Sequence, residues 1–131
     1  MQLIKTKIAP LNEQRYLTLG DYWEDNGILH FKITDTGNKT YNKVILVHEV
    51  IEQLLTEFNG IKEPDILAFD LWVEDEIKAG RYPEDAEPGD HPLSPYKKEH
   101  VFAMNIERQI MNFLNIDFEK YESDLVRIFE K

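Results

Sequence analysis

The string His48-Glu49-Val50-Ile51-Glu52 places an imidazole and two carboxylates at spacings that allow joint work on one metal ion. On a helix turning about 100° per residue, residues four apart stand one above the other. His48 and Glu52 can therefore converge on a single cation. Glu49 is turned away from His48 by about 100°, where it could work on a water beside that cation without ligating it. The chemistry this suggests is Lewis-acid activation of water with a carboxylate as proton acceptor. The plainer reading is a surface histidine flanked by two solvated glutamates.

A catalytic zinc usually takes three protein ligands and keeps one position for water. Cysteine is absent, so the missing ligand must be a histidine or a carboxylate. His100 is the first choice, because it falls in the opening turns of a helix that follows a long loop. His91, inside that loop at Asp90-His91-Pro92, is the alternative, and His30 lies on the polar side of a strand. Asp70 and Glu74 form another acidic pair one turn apart. Asp70 is either a ligand, an acid orienting a ligand histidine, or part of a polar face opposite an aromatic stripe. Glu107, seven residues after His100, shares its helix face and could serve as a further ligand, an orienting acid, or an ion-pair partner. Ser94 suits a helix cap, and Tyr96 either packs or stabilises an oxyanion.

The elements that must position these residues follow from punctuation and periodicity. Residues 2–8 read as a first strand, Arg15–Leu19 with Tyr22 and Trp23 as a second, and Ile28–Thr34 as a third. Asp25-Asn26-Gly27 between them is a strong hairpin signal. The expectation is an α+β fold, with an N-terminal antiparallel β-meander over residues 1–38 and three to four helices over 42–131. The first helix is expected from Lys43 to Phe58, with Val44, Val47, Ile51, Leu54, Leu55 and Phe58 as its core stripe. Asn59-Gly60 stops it, and Pro64 opens a second helix that runs to about Lys78. Breakers from Gly80 through Pro95 mark a long loop at about 79–96, followed by helices to Leu114 and from about Asp117 to Phe129. All 131 residues are read as one domain.

Composition bounds the function. The 25 acidic residues outweigh 15 basic ones, for a formal net charge of −10. That balance excludes a general nucleic-acid binder and disfavours anionic membranes. No apolar run approaches a membrane span and no signal-peptide core opens the chain, so a cytoplasmic protein is expected.

A meander followed by an active-site helix with His-Glu-x-x-Glu and a downstream ligand resembles the zincin-like metallopeptidases in reduced form. The order of elements is also similar to that of small uncharacterised proteins of bacteria and their phages. The motif match covers five residues and the architectural match roughly the first sixty. The resemblance implies a metal-dependent, peptidase-like hydrolase in which His48 is a ligand, Glu49 the general base, and Glu52 stands where zincins carry a second histidine. Zinc is the expected ion, while the carboxylate at position 52 also admits manganese, iron or magnesium. The substrate would be a peptide or another small molecule. Two other readings stay open. The acids Glu49, Glu52, Asp70, Glu74 and Glu107 are also similar to the magnesium cages of all-α nucleotide pyrophosphohydrolases. Alternatively, the chain is an acidic interaction module whose structural metal recruits both His91 and His100, with a partner protein or a second copy covering the site.

Overall fold

The computed structural model describes residues 1–130. Three strands, β1 (Leu3–Ala9), β2 (Gly20–Asp25) and β3 (Ile28–Thr34), precede four helices. These are α1 (Lys39–Phe58), α2 (Glu63–Lys78), α3 (Lys97–Phe113) and α4 (Phe118–Phe129). The α+β class and the order of strands before helices are as expected.

The β2–β3 hairpin forms where the sequence places it. Asn26 and Gly27 both take positive φ angles, 52° and 77°, which a tight turn between twisted strands requires. The sheet is not a meander, however. Its order is β1-β3-β2, and β1 runs parallel to β3 from Leu3 opposite Ile28 to Ala9 opposite Thr34. The reason lies in residues 10–19, which arch over the end of β3 instead of adding strand at Arg15–Leu19. At that end the Thr34 N–H donates to the Leu19 carbonyl and the Asp35 N–H to the Ala9 carbonyl. Arg15 is drawn out of any ladder by Asp21 and Glu63, which accept from its guanidinium at 2.8–2.9 Å.

Leu29, Phe31 and Ile33 alternate along β3 toward the helices and are buried. α1 packs across this face. It starts one turn earlier than expected because the Asn38 side chain accepts from the N–H groups of Thr40 and Tyr41. It ends before Asn59, with Gly60 at φ 72°. Its expected core stripe is only half right. Val44 is buried, but Val47, Leu54 and Phe58 are exposed, and the inward face continues instead through Ile45, His48, Glu52 and Thr56. The registry is set at the N-terminus, where Tyr41, Val44 and Ile45 join a core with Ile33, Met111, Tyr121 and Leu125. Following that line by steps of three and four brings His48 and Glu52 inside.

A second apolar cluster joins Tyr22, Leu29, Phe31, Ile66 and Tyr96. α2 therefore contributes Ile66 and Val73 to the interior, whereas Trp72 stays largely exposed. Ser94 does not cap α3; its Oγ accepts from the Tyr96 N–H at 3.3 Å, and Tyr96 itself occupies the cap position. Between α2 and α3 the long loop contains a single 3-10 turn, Pro88–Asp90. His91 pins the loop to α2, its ring 5.5 Å from Phe69, 5.3 Å from Trp72 and 4.7 Å from Tyr82. Among the described residues no helix is long and apolar enough to cross a membrane.

Candidate metal centre

α1 and α3 bring His48, Glu52 and His100 together in the interior, each about 5% exposed. Glu52 Oε2 lies 3.1 Å from His48 Nε2 and 3.0 Å from His100 Nδ1. The two imidazoles meet edge to face with centroids 5.0 Å apart. A tetrahedral zinc with bonds near 2.0–2.1 Å sets its donors roughly 3.3 Å from one another. The oxygen is thus spaced from each nitrogen about as two donors to one ion would be, and all three atoms lie within 4.8 Å of each other. The donor set fits: this buried group is able to hold a divalent cation.

Each donor is held from behind. Tyr22, on β2, donates its hydroxyl to Glu52 Oε1 at 3.0 Å, leaving Oε2 for the imidazoles. Glu107, two turns after His100, lies 2.7 Å from His48 Nδ1. A carboxylate there fixes the ring with Nδ1–H toward Glu107 and Nε2 toward Glu52, the orientation common behind metal-ligating histidines. Glu107 thus backs one of the three possible donors and stands outside the donor group. On the far side of the His100 ring, Glu87 Oε2 lies 3.0 Å and Asp90 Oδ1 3.5 Å from Nε2. Both are off the line of an N–H, so this buried nitrogen has no hydrogen-bond partner.

The electrostatics describe a cation-shaped site. Burial disfavours the charged form of His48, but Glu107 and Glu52 outweigh it and hold the imidazolium up to about pKa 11. His100 is raised in the same sense against its burial, by Asp90, Glu52 and Glu87. Burial would lift the Glu52 carboxyl, yet hydrogen bonds from His100 and His48 hold it down at about 2. Without a metal, two protonated rings supply the positive charge that the carboxylates demand.

Glu49 sits beside this group and outside it. Among the described residues it has no hydrogen bond or ion pair with the protein, and it faces a cavity of about 1050 Å³ also lined by His48, Glu52 and His100. Burial pushes its carboxyl well above the usual carboxylate range, with Glu52 adding to the rise. Its seat exists because residue 20 is glycine. A Cβ there would lie 2.5 Å from the Glu49 Cγ. Gly89 does the same for His100, since a Cβ would come within 2.3 Å of the ring.

The remaining sequence candidates are placed elsewhere. His91 is in the aromatic cluster on α2, its Nδ1 accepting from the Leu93 N–H at 3.0 Å, so it cannot be the third ligand or close a four-ligand site. Asp70 accepts from Tyr16 and Tyr96 hydroxyls at 2.6 and 2.7 Å. Burial lifts its carboxyl to about 7. It braces the β1–β2 connection and the start of α3 against α2, and it occupies the Tyr96 hydroxyl that an oxyanion role would need. Glu74 pairs with Lys78 and accepts from the Leu17 N–H. The five-acid magnesium cage is therefore not assembled. His30 stacks on Trp23 at 5.1 Å. The hydroxyls of Tyr16 and Tyr22 serve Asp70 and Glu52. Glu87, Asp90, Gly20 and Gly89 carried no site signal in the sequence beyond belonging to turns and a loop.

The fold and the site thus define an α+β chain with a buried His-Glu-His group suited to a divalent ion. No family model, curated protein or solved structure matches the chain.

Proposed function

We propose that this protein is a metal-dependent hydrolase of the peptidase-like kind, with His48, Glu52 and His100 as ligands and Glu49 as general base. One observation carries the reading: a half-buried carboxylate with no partner among the described residues faces a large cavity next to the His48, Glu52 and His100 donors. Two imidazoles and one carboxylate are a donor set of catalytic zinc sites, and they also suit iron(II). Zinc is the first expectation. A divalent ion held there supplies Lewis acidity, polarising a carbonyl and lowering the pKa of a water.

The chain's own groups do the rest. Glu49, beside the donor group and facing the cavity, would accept a proton from water and return it to a leaving amine; burial raises its carboxyl above the usual carboxylate range. Glu107 and Tyr22 hold His48 and Glu52 in place, so the ligands need little rearrangement. The peptide-like class of substrate rests on the His-Glu-x-x-Glu resemblance.

Purified protein should carry one tightly bound ion at this centre, identified by elemental analysis. His48→Ala and His100→Ala should each lose it. Glu49→Gln should keep the ion while losing turnover, by about 10²-fold or more, of a mixed peptide library followed by mass spectrometry. Full activity in Glu49→Gln, or an unchanged ion in both histidine variants, refutes the proposal.

A further inference from the structure

His100 presents only one of its nitrogens to the centre described above. The other, Nε2, points to the loop between α2 and α3, and there the structure holds a second set of donors. Glu87 and Asp90 flank the Pro88–Asp90 turn. Both carboxylates come near the same ring nitrogen, Glu87 Oε2 at 3.0 Å and Asp90 Oδ1 at 3.5 Å. The Asp90 N–H closes this turn on the Glu87 carbonyl at 3.1 Å. Gly89, without a Cβ, lets the turn press onto the imidazole.

We infer that His100 Nε2, Glu87 and Asp90 form a second divalent-cation site, so that His100 holds one ion on each ring nitrogen. The three donor atoms lie within 4.8 Å of one another. His100 is buried, yet Nε2 lacks a hydrogen-bond partner, and the two carboxylates straddle it instead of accepting from it. A ligand on the nitrogen's lone pair would meet both oxygens and satisfy the orphaned atom. Among the described residues neither carboxylate pairs with a lysine or arginine, and Glu84, Asp85 and Glu122 line the same cavity.

The chemistry of the site distinguishes it from the inner one. Glu87 and Asp90 side chains are about half exposed, at 44% and 54%, so water completes the coordination and the ion exchanges readily. One nitrogen with two carboxylate oxygens favours manganese or zinc over calcium or magnesium, which prefer all-oxygen shells. Ions on opposite nitrogens of one imidazole stand roughly 6 Å apart, given metal–nitrogen bonds near 2 Å. That exceeds the roughly 3.5–4 Å of paired catalytic metals. The outer ion would therefore seat His100 and the loop, while the inner ion does the Lewis-acid chemistry. Each ion displaces one N–H proton of the His100 ring to solvent, the inner ion a second one from His48, and the doubly ligated His100 ring is an imidazolate.

Because His100 is shared, this site rests on the proposed inner centre, and the test separates the two. Metal-free full-length protein is titrated with Zn²⁺ and, separately, Mn²⁺, with ions per chain counted by elemental analysis and affinities by calorimetry. Two ions per chain are expected, one tight and one weaker. Glu87→Gln with Asp90→Asn should lose only the weaker ion, and His48→Ala only the tighter one. One ion per chain, lost in His48→Ala and merely loosened in Glu87→Gln/Asp90→Asn, overturns the second site and leaves the inner one standing. An ion lost only in the loop variant sinks the inner reading and keeps the outer. No bound ion removes both.

Discussion

The two faces of α1 divide the work of the molecule in an unusual way. His48, Glu52 and Thr56 turn inward, while Val47, Leu54 and Phe58 face solvent, Phe58 at 87% exposure. An amphipathic helix normally does the reverse. The buried charges of His48 and Glu52 are tolerable because each is answered. Glu52 accepts from Tyr22 and both imidazoles, and His48 meets Glu107. Exposed apolar side chains, by contrast, cost little when scattered along a surface. What the comparison teaches is that hydropathy alone does not choose the core side of a helix. A cluster of mutually satisfied polar groups can claim that side when a neighbouring strand and helix supply its partners.

The largest way to break the comparison is to remove one partner from the inner face. Glu52→Ala leaves two imidazoles without their shared carboxylate and should cost about 3–5 kcal/mol in metal-free protein. Leu54→Ala, on the outer face, should stay within about 0.5 kcal/mol. Urea unfolding of both variants measures the contrast, and equal losses would abolish it.

Next in size is the response of the inner face to pH. His48 is held at about 11 and His100 is also raised, so near neutral pH both rings are protonated before an ion enters. Ligation must expel one proton from each, and protons compete better as pH falls. Affinity should therefore rise by about two decades per pH unit from pH 6 to 8, with about two protons released per ion at the inner centre. Calorimetry in buffers of different ionisation enthalpy, with less than one ion added per chain so that only the tighter centre fills, reads the proton count directly. Release of no protons would mean the rings are neutral and the inner face uncharged.

The smallest effects sharpen how closely the site is fitted. Gly89→Ala drives a Cβ into a stiff, buried ring and should cost about 1–3 kcal/mol together with ion affinity. Gly20→Ala meets the flexible end of Glu49, so stability should barely change while turnover falls. A Gly20→Ala enzyme as active as the parent would show that the seat of Glu49 is not what positions it.

Much of this was legible in the sequence where the signal is local. Asn26-Gly27, Asn59-Gly60 and Pro64 punctuate the hairpin and the first two helices because their backbone requirements are intrinsic to those residues. The four-residue spacing of His48 and Glu52, and the place of His100 early in α3, likewise need nothing beyond helix geometry. The parallel partner of β1 was not legible, since strand direction depends on how residues 10–19 travel across the end of β3. The inward turn of α1 was hidden for the same kind of reason: Glu107, Tyr22 and His100 lie far away in sequence. Glu87 and Asp90 escaped notice because a loop shows its roles only once it has folded onto something. The roles of the Tyr16 and Tyr22 hydroxyls were hidden as well, because Asp70 and Glu52 lie far from them in sequence.

The placement of β1 at the border of the sheet has a consequence for molecules in a crowd. One row of its backbone groups has no strand beside it, and Leu3, Ile4 and Ile8 are all exposed along it. Such an edge is a template on which another chain could extend the sheet. Lys5 and Lys7 interrupt the apolar run at alternate positions, and Lys7 approaches Glu13 of the connection that follows. Two lysines on so short a strand make stacking edge against edge electrostatically costly, so they act to keep neighbouring molecules apart.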